Sequence, residues 1–218
     1  MPTVLWWNCE HLSGDPVFER LLPHVRALVV DSSGTTVDGS ATANLAAFHA
    51  AHPEIPVHDL AWMRLSPWHD LIAHFFDDAA VMPELFAIRA LRVTSGSDAE
   101  ALYLAGWLAS RLGWSVQARN AFTDRAGAAI AFAHERDGTP RRVFSICIDS
   151  DGSYYHGDVT GDDGEVVRVW IEGEHARPER FFPLRAIDNA SLLERAVLEP
   201  ATDDVFETAL RDVAKLVG

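Results

Sequence analysis

The sequence predicts an α/β N-terminal part, Rossmann-like with a small parallel sheet, followed by an α+β part with an antiparallel meander and terminal helices. In the first third, the short apolar runs Val4–Trp7 and Leu28–Val30 alternate with helical patterns, which is typical of buried parallel strands. In the second half, strand-like runs are separated by Asp-Gly pairs at 137–138, 151–152 and 163–164, as in successive hairpins. We therefore divide the chain into domains at 1–84 and 85–218.

Helix signals support the N-terminal part. Asp15 is a good N-cap, and Pro16 suits the first helical position behind it. A further helix is predicted to have Ser66 as its cap and Pro67 as its first residue. One face of this helix is strongly apolar, with large side chains at helical spacing: Trp68, Leu71, Ile72, Phe75 and Phe76. This helix is expected to anchor the fold.

The C-terminal part is predicted to open with a strand in AIRALRVTSG, at 87–96, followed by a helix from about Asp98 to Leu112. Ser97 and Glu100 have the spacing of a capping box, and Gly113 suits a left-handed C-terminal cap. Gly106 lies in the middle of the helix, where glycine costs about 1 kcal/mol relative to alanine. Its presence predicts close approach by another element. Two more helices, separated by Pro200, are expected at the C-terminus.

Composition excludes several classes of function. The chain has 218 residues, with 32 acidic against 18 Lys and Arg, and a formal charge of −14. Such a chain would repel nucleic acid and anionic membrane surfaces, so neither is an expected partner. With no leader and no apolar run long enough for a membrane span, we expect a cytoplasmic protein. The two cysteines are too few for a disulfide framework.

The sequence contains no recognisable catalytic motif. The ten histidines lack metal-ligand spacing, and no serine, cysteine or histidine stands in a specific catalytic pattern. We therefore predict a chain that is not an enzyme, without catalytic residue, metal or cofactor. Asp31, Ser32 and Ser33 follow an apolar strand, where open α/β sheets bind ligands, so they form a candidate ligand loop; the alternative is a capping turn. Cys9 also follows a strand and is a candidate redox site, against a purely structural role.

Four segments together resemble the OpcA family, the glucose-6-phosphate dehydrogenase assembly proteins. They are VLWWNCE, VVDSS, DLAWMRLSPWHDLIAHFFD and LYLAGWLASRLGW, within about residues 3–115. The resemblance implies a non-catalytic partner that promotes assembly or the active state of glucose-6-phosphate dehydrogenase, the entry enzyme of the oxidative pentose phosphate pathway. It makes Trp62, Arg64 and Trp68 candidates for contact with that enzyme, because Trp and Arg are enriched in interface hot spots. The alternative is that both tryptophans tie the two halves of the chain together.

The chain departs from the family pattern in three places. It begins almost at the VLWW segment and so resembles a short form; Gly34 stands where arginine is expected, and His69 where a basic residue is more usual. Two alternatives stay open. One is a small-molecule protein or enzyme that binds a sugar or phosphate at Asp31–Ser33. The other is a relative that serves a different protein partner. A deep pocket lined by backbone N–H groups at the strand end would favour the ligand, and a filled strand end would favour a protein partner.

Overall fold

The computed structural model describes residues 3–8, 12, 14–34, 40–136, 142–160, 165–184, 187–198 and 203–217. In this part of the chain the helices are α1 (Pro16–Leu21), α2 (Ser40–Ala51), α3 (Leu60–Met63), α4 (Ser66–Phe75), α5 (Asp98–Leu112), α6 (Asn189–Leu198) and α7 (Asp204–Val217). The strands are β1 (Val4–Trp6), β2 (Ala27–Val30), β3 (Val57–Asp59), β4 (Ile88–Ser95), β5 (Ser115–Ala118), β6 (Ala121–Thr123), β7 (Ala129–Arg136), β8 (Val143–Ser150), β9 (Ser153–Thr160), β10 (Val166–Gly173) and β11 (Arg177–Pro183). None of the helices described is long and apolar enough to cross a membrane.

The first sheet is the predicted small parallel sheet, with the order β1-β2-β3. All four residues of the central strand β2 are buried. The expectation of a buried strand was wrong for β1, where Trp6 is 50% exposed, because β1 is an edge strand with one neighbour. The helix after β1 begins as predicted: the Asp15 carboxylate accepts the N–H groups of Val17 and Phe18 at 2.7 and 3.1 Å.

The second sheet has eight strands in the order β11-β10-β9-β8-β4-β7-β6-β5. Strands β8 to β11 form an antiparallel meander, and Asp151-Gly152 makes the turn between β8 and β9. The hairpin predicted between β7 and β8 was wrong, because β4 lies between them, antiparallel to β8 and parallel to β7. An alternating pattern determines which face of a strand is buried, but it does not determine which strand lies next to it. The Asp-Gly pairs at 137–138 and 163–164, and Pro200, lie outside the described residues.

Helices α5 and α7 pack closely against each other on one face of the large sheet. A Cβ atom on Gly106 would lie 2.8 Å from Val213 Cγ2 and 2.9 Å from the Ala209 carbonyl oxygen. The predicted close approach is thus confirmed. Helix α5 ends at Gly113, which has φ +71° as predicted. The capping box was wrong: the side chain of the N-cap residue makes no cap hydrogen bond, and Glu100 has a different partner, described below.

Helix α4 anchors the same face, and its predicted apolar side chains are all buried. It starts at Ser66 itself, with Leu65 as a cap without a side-chain bond, because α3 leads directly into it. At Gly157 of β9, an added Cβ would lie 3.4 Å from both Trp68 and Leu71, so the helix rests directly on the strand. One cluster of buried side chains runs from α1 to α7 across residue 84. The division into two domains there stays a prediction.

Candidate functional site

Arg64 joins the two segments that the sequence analysis singled out separately. It follows α3, and its guanidinium reaches the end of β2. Nη2 lies 2.6 Å from Asp31 Oδ1, and Nη1 lies 3.3 Å from Asp31 Oδ2. Nη2 also donates to the Ser33 hydroxyl at 2.5 Å. The planar guanidinium thus binds both oxygens of the carboxylate in a bidentate ion pair, an arrangement that lysine could not reproduce.

Two further side chains complete the arginine's surroundings. Arg64 Nε donates to Glu100 Oε1 at 3.1 Å, and Nη1 donates to Asn189 Oδ1 at 3.1 Å. The exposed fractions of the Arg64, Asp31 and Glu100 side chains are 13%, 3% and 2%. One buried cation therefore links β2, α3, α5 and α6. Sequence reasoning assigned Glu100 to a helix cap, and an acidic residue in a first turn carries no signal that separates the two roles.

Glu100 is an unusual carboxyl group. Burial raises its pKa to about 7 against the opposing charge of Arg64, and nearby acidic groups add to the rise. Its second oxygen, Oε2, is buried and has no hydrogen-bond partner among the described residues. Glu100 is therefore divided between its neutral and charged forms near neutral pH. The acids at this junction outnumber its single arginine, which favours a proton on one of them.

The carboxylate at the end of β3, Asp59, is also engaged in hydrogen bonds. Asp59 accepts the backbone N–H groups of Ser32 and Ala61 at 3.1 and 2.9 Å, and the Tyr103 hydroxyl donates to it at 2.7 Å. Burial raises the pKa of both Asp59 and Tyr103. The Ser32 N–H points inward to this carboxylate, and the Ser33 N–H donates to Asp31 at 3.2 Å. The backbone N–H groups of the candidate ligand loop and the Asp31 and Ser33 side chains are thus engaged within the chain, whereas the Ser32 hydroxyl is buried without a hydrogen-bond partner among the described residues.

A cavity of about 500 Å³ lies beside this junction. Its floor is aromatic: the His69 ring stacks on Trp107 at 4.3 Å between centroids and lies 4.9 Å from Trp62. Burial lowers the pKa of His69 to about 4, so the ring is neutral at pH 7. Its Nε2 atom is buried without a hydrogen-bond partner in the described part of the chain. At the rim, Trp62 Nε1 donates to Asp203 at 3.1 Å.

The remaining candidates are placed as follows. Trp62 and Trp68 are 7% and 3% exposed, so their indoles lie in the core, and their contact with a partner stays a prediction. Cys9 lies outside the described residues. Cys147 is half-buried on β8, and burial raises the pKa of its thiol, which makes it a weak nucleophile at neutral pH. Among the described residues, no group of three or more His, Cys, Asp or Glu side chains could hold a metal ion.

Comparison with known proteins identifies the family. Residues 55–210, more than two thirds of the chain, match the family model for the C-terminal domain of the glucose-6-phosphate dehydrogenase subunit OpcA. The chain belongs to this family. The matched region contains Trp62, Arg64, Glu100 and Trp107, so the cavity floor lies within it, while Asp31 and Ser33 of the junction precede it.

Curated relatives agree with the family. A "Putative OxPP cycle protein OpcA" of Synechocystis sp. is 33% identical over 117 residues, which is 53% of this chain and 24% of the relative. The protein of the same name from Nostoc punctiforme is 32% identical over 116 residues, which is 52% of this chain and again 24% of the relative. The alignment therefore spans about a quarter of these relatives. The resemblance noted in the sequence is confirmed.

Solved structures with the same fold are oxidoreductases. A mutant of KijD10, a 3-ketoreductase from Actinomadura kijaniata in complex with TDP-benzene and NADP, aligns with a TM-score of 0.62. It is 14% identical, over 98% of this chain and 75% of that one. The dehydrogenase MviM from Clostridium difficile aligns at 0.57 with 11% identity, over 98% of this chain and 77% of that one. At these identities the comparison establishes the α/β fold alone.

Proposed function

We propose that this chain is a non-catalytic assembly factor or allosteric effector that binds glucose-6-phosphate dehydrogenase and promotes its active form. Membership of the OpcA family carries the proposal. The end of β2 supports it, because Arg64 and Asp31 occupy the position where an open α/β sheet would hold a ligand. The proposal places the protein in the oxidative pentose phosphate pathway, in the cytoplasm, with no cofactor of its own.

An effector without chemistry acts by differential binding. It must bind the active dehydrogenase more tightly than the inactive form, and a preference of about 100-fold supplies about 2.7 kcal/mol. We place the contact at or near the segment that contains Trp62, Arg64 and Trp68. Because both indoles are buried, they would act by holding the shape of this surface. Arg64 would act in the same way, by fixing α3 to the strand end.

The test is co-purification with the dehydrogenase of the same organism, followed by an activity assay with and without this protein. A stable complex with raised activity is expected. Arg64→Lys keeps the charge but removes the bidentate ion pair with Asp31. Activation of the dehydrogenase should therefore fall while the chain still folds. Arg168→Ala, on the opposite side of the sheet, is the control and should leave activation unchanged. Separate elution and unchanged activity would rule out the proposed role.

The cavity lined by Asp59, Trp62 and His69 supports a second candidate function, the binding of a small molecule. Its stacked aromatic floor, the unpartnered His69 Nε2 and its position next to a parallel strand end are features of ligand pockets. The probes are glucose 6-phosphate, inorganic phosphate and NADP, measured by calorimetry. His69→Phe removes the polar atom and should abolish any binding that uses it. If no probe releases or absorbs heat and none raises the melting temperature, this candidate is rejected.

A further inference from the structure

A short 3₁₀ helix, Met82–Phe86, follows α4 and precedes β4. Because a 3₁₀ helix has three residues per turn, Pro83 and Phe86 lie on the same side of it. Phe86 is 65% exposed, Met82 is 48% exposed, and Pro83 is exposed as well. We call these three side chains the apolar patch. The patch presents a thioether and an aromatic ring to solvent on one short element.

A buried glutamate holds this helix from its other side. Glu84 is 8% exposed. The Tyr155 hydroxyl donates to Glu84 Oε2 at 2.7 Å, and the Ser153 hydroxyl donates to Oε1 at 3.3 Å. His175 Nε2 lies 3.0 Å from Oε1, and the Ser150 hydroxyl donates to the Glu84 carbonyl oxygen at 2.6 Å. The helix is thus tied to β8, to β9 and to the turn between β10 and β11.

These contacts determine how the apolar patch is presented. A buried carboxylate loses its hydration, and its hydrogen bonds in the fold replace that hydration only when each of them is well placed. The contacts of Glu84 come from three different segments, so they allow one orientation of the helix. A surface that is already ordered loses less conformational entropy when it binds a partner. The apolar patch is therefore preorganised for binding.

The segments that adjoin this helix are acidic. Five carboxylates and two arginines lie there: Asp77, Asp78, Asp124, Asp151 and Glu174, with Arg89 and Arg177. The side chains of Asp77 and Asp78 are 71% and 48% exposed. Acids exceed arginines by three, so this part of the surface is negative, like the chain as a whole. A partner that covers the apolar patch without repulsion must bring basic side chains to its rim.

We propose that the apolar patch binds glucose-6-phosphate dehydrogenase, in an apolar pocket of that enzyme with basic side chains at its rim. The inference rests on the proposed function, because it takes the dehydrogenase as the partner. Met and aromatic side chains are enriched in protein interfaces, and a few anchors that fill pockets carry most of the binding energy. Trp62 and Trp68 are buried and do not offer such an anchor, whereas Phe86 does. This contact adds to the one placed at the Trp62–Trp68 segment.

Surface plasmon resonance with the whole chain and the dehydrogenase of the same organism tests the contact. Phe86→Ala removes the largest side chain of the apolar patch, and the dissociation constant should rise about 30-fold. Phe181→Ala is the matched control, because Phe181 is a phenylalanine on β11 with a similar exposure of 62%. It should leave the dissociation constant unchanged. Circular dichroism and the melting temperature establish that both variants fold.

The charge of the rim has a separate readout. Added salt should slow the association of the two proteins, because it screens the attraction between the acidic rim and a basic partner. Asp77→Asn removes one exposed charge from this rim. It should lower the association rate and its dependence on salt, while the dissociation rate stays the same.

The outcomes separate this inference from the proposed function. If the wild type binds the dehydrogenase and Phe86→Ala binds equally well, the apolar patch is not the contact and the proposed function stands. Equal losses for Phe86→Ala and Phe181→Ala would also reject the apolar patch. Association that becomes faster with added salt would overturn the basic rim of the pocket. If the wild type does not bind the enzyme, the proposed function and this inference are rejected together.

Discussion

The buried junction around Arg64 and the open face of the large sheet, the face opposite α4, α5 and α7, each contain an arginine held between two carboxylates. Arg64 contacts Asp31 at 2.6 Å and Glu100 at 3.1 Å. Arg168 contacts Asp158 at 3.1 Å and Glu179 at 3.4 Å. The exposed fraction of the side chain is 13% for Arg64 and 35% for Arg168. Both arginines pair with two carboxylates, but Arg64 is buried and Arg168 is partly exposed to solvent.

The difference shows that burial, more than the number of ion pairs, decides what an arginine contributes. At the junction, water cannot replace a lost partner, so removal of the cation leaves two buried acids uncompensated. On the open face, solvent screens the charges and hydrates either partner when the other is lost. The ion pairs of the junction should therefore contribute more to stability than those of the open face.

The largest effect is expected for Arg64→Ala. Loss of one partner from a buried ion pair typically costs about 3–5 kcal/mol, and here Asp31 and Glu100 would both lose their cation. Urea unfolding followed by circular dichroism measures the loss. Arg64→Lys should fall between wild type and Arg64→Ala. A loss below that of Arg168→Ala would show that the junction is hydrated and that the comparison fails.

Two buried groups, Glu100 and His69, should change the folding stability with pH in opposite directions. Glu100 has a folded pKa of about 7 against 4.5, so the folded state alone holds its proton between these values and stability falls as pH rises. His69 has a folded pKa of about 4 against 6.5, so the unfolded state alone binds that proton and stability rises with pH. The two slopes oppose each other across the same acidic range.

Single variants should separate these slopes. Relative to Glu100→Gln, wild type should lose about 1.4 kcal/mol per pH unit between about pH 4.5 and 7. Relative to His69→Gln, wild type should gain stability by a similar slope from about pH 4 to 6.5. Unfolding free energies measured across this range provide the check. Parallel curves for wild type and Glu100→Gln would mean that Glu100 has an ordinary pKa.

A smaller effect is expected on the covered face of the sheet. Gly106→Ala would place a Cβ 2.8 Å from Val213, and overpacking of this kind costs about 1–3 kcal/mol. Helix propensity alone predicts the opposite sign, a gain of about 1 kcal/mol. The sign of the change in unfolding free energy therefore decides whether overpacking or helix propensity dominates at this position. A stabilised variant would show that α5 and α7 lie further apart.

The smallest effect is expected for Arg168→Ala. Exposed ion pairs contribute about 0.2–1 kcal/mol, and an exposed cation–π contact contributes about 0.5–1 kcal/mol. The loss in unfolding free energy should stay near 1 kcal/mol and shrink with added salt, because the ion-pair part is screened. A loss as large as that of Arg64→Ala would mean that this face is covered in solution.

Much of the fold could be predicted from residues near each other in the chain. The cap at Asp15, the apolar face of α4, the left-handed Gly113 and the close approach at Gly106 all depend on local spacing and backbone conformation. These features depend on periods of a few residues, which a sequence displays directly. Membership of the OpcA family was visible for the same reason, because its motifs are continuous segments.

Only the tertiary structure decided which side chains meet. Arg64 and Asp31 were candidates for separate roles, and Glu100 was assigned to a helix cap, until the packing of β2, α3 and α5 brought them together. The position of β4 between β7 and β8 also follows from long-range pairing. A sequence records which side chains are apolar or charged. Which of them share a low-dielectric interior depends on contacts between residues far apart in the chain, and these form only when the whole chain folds.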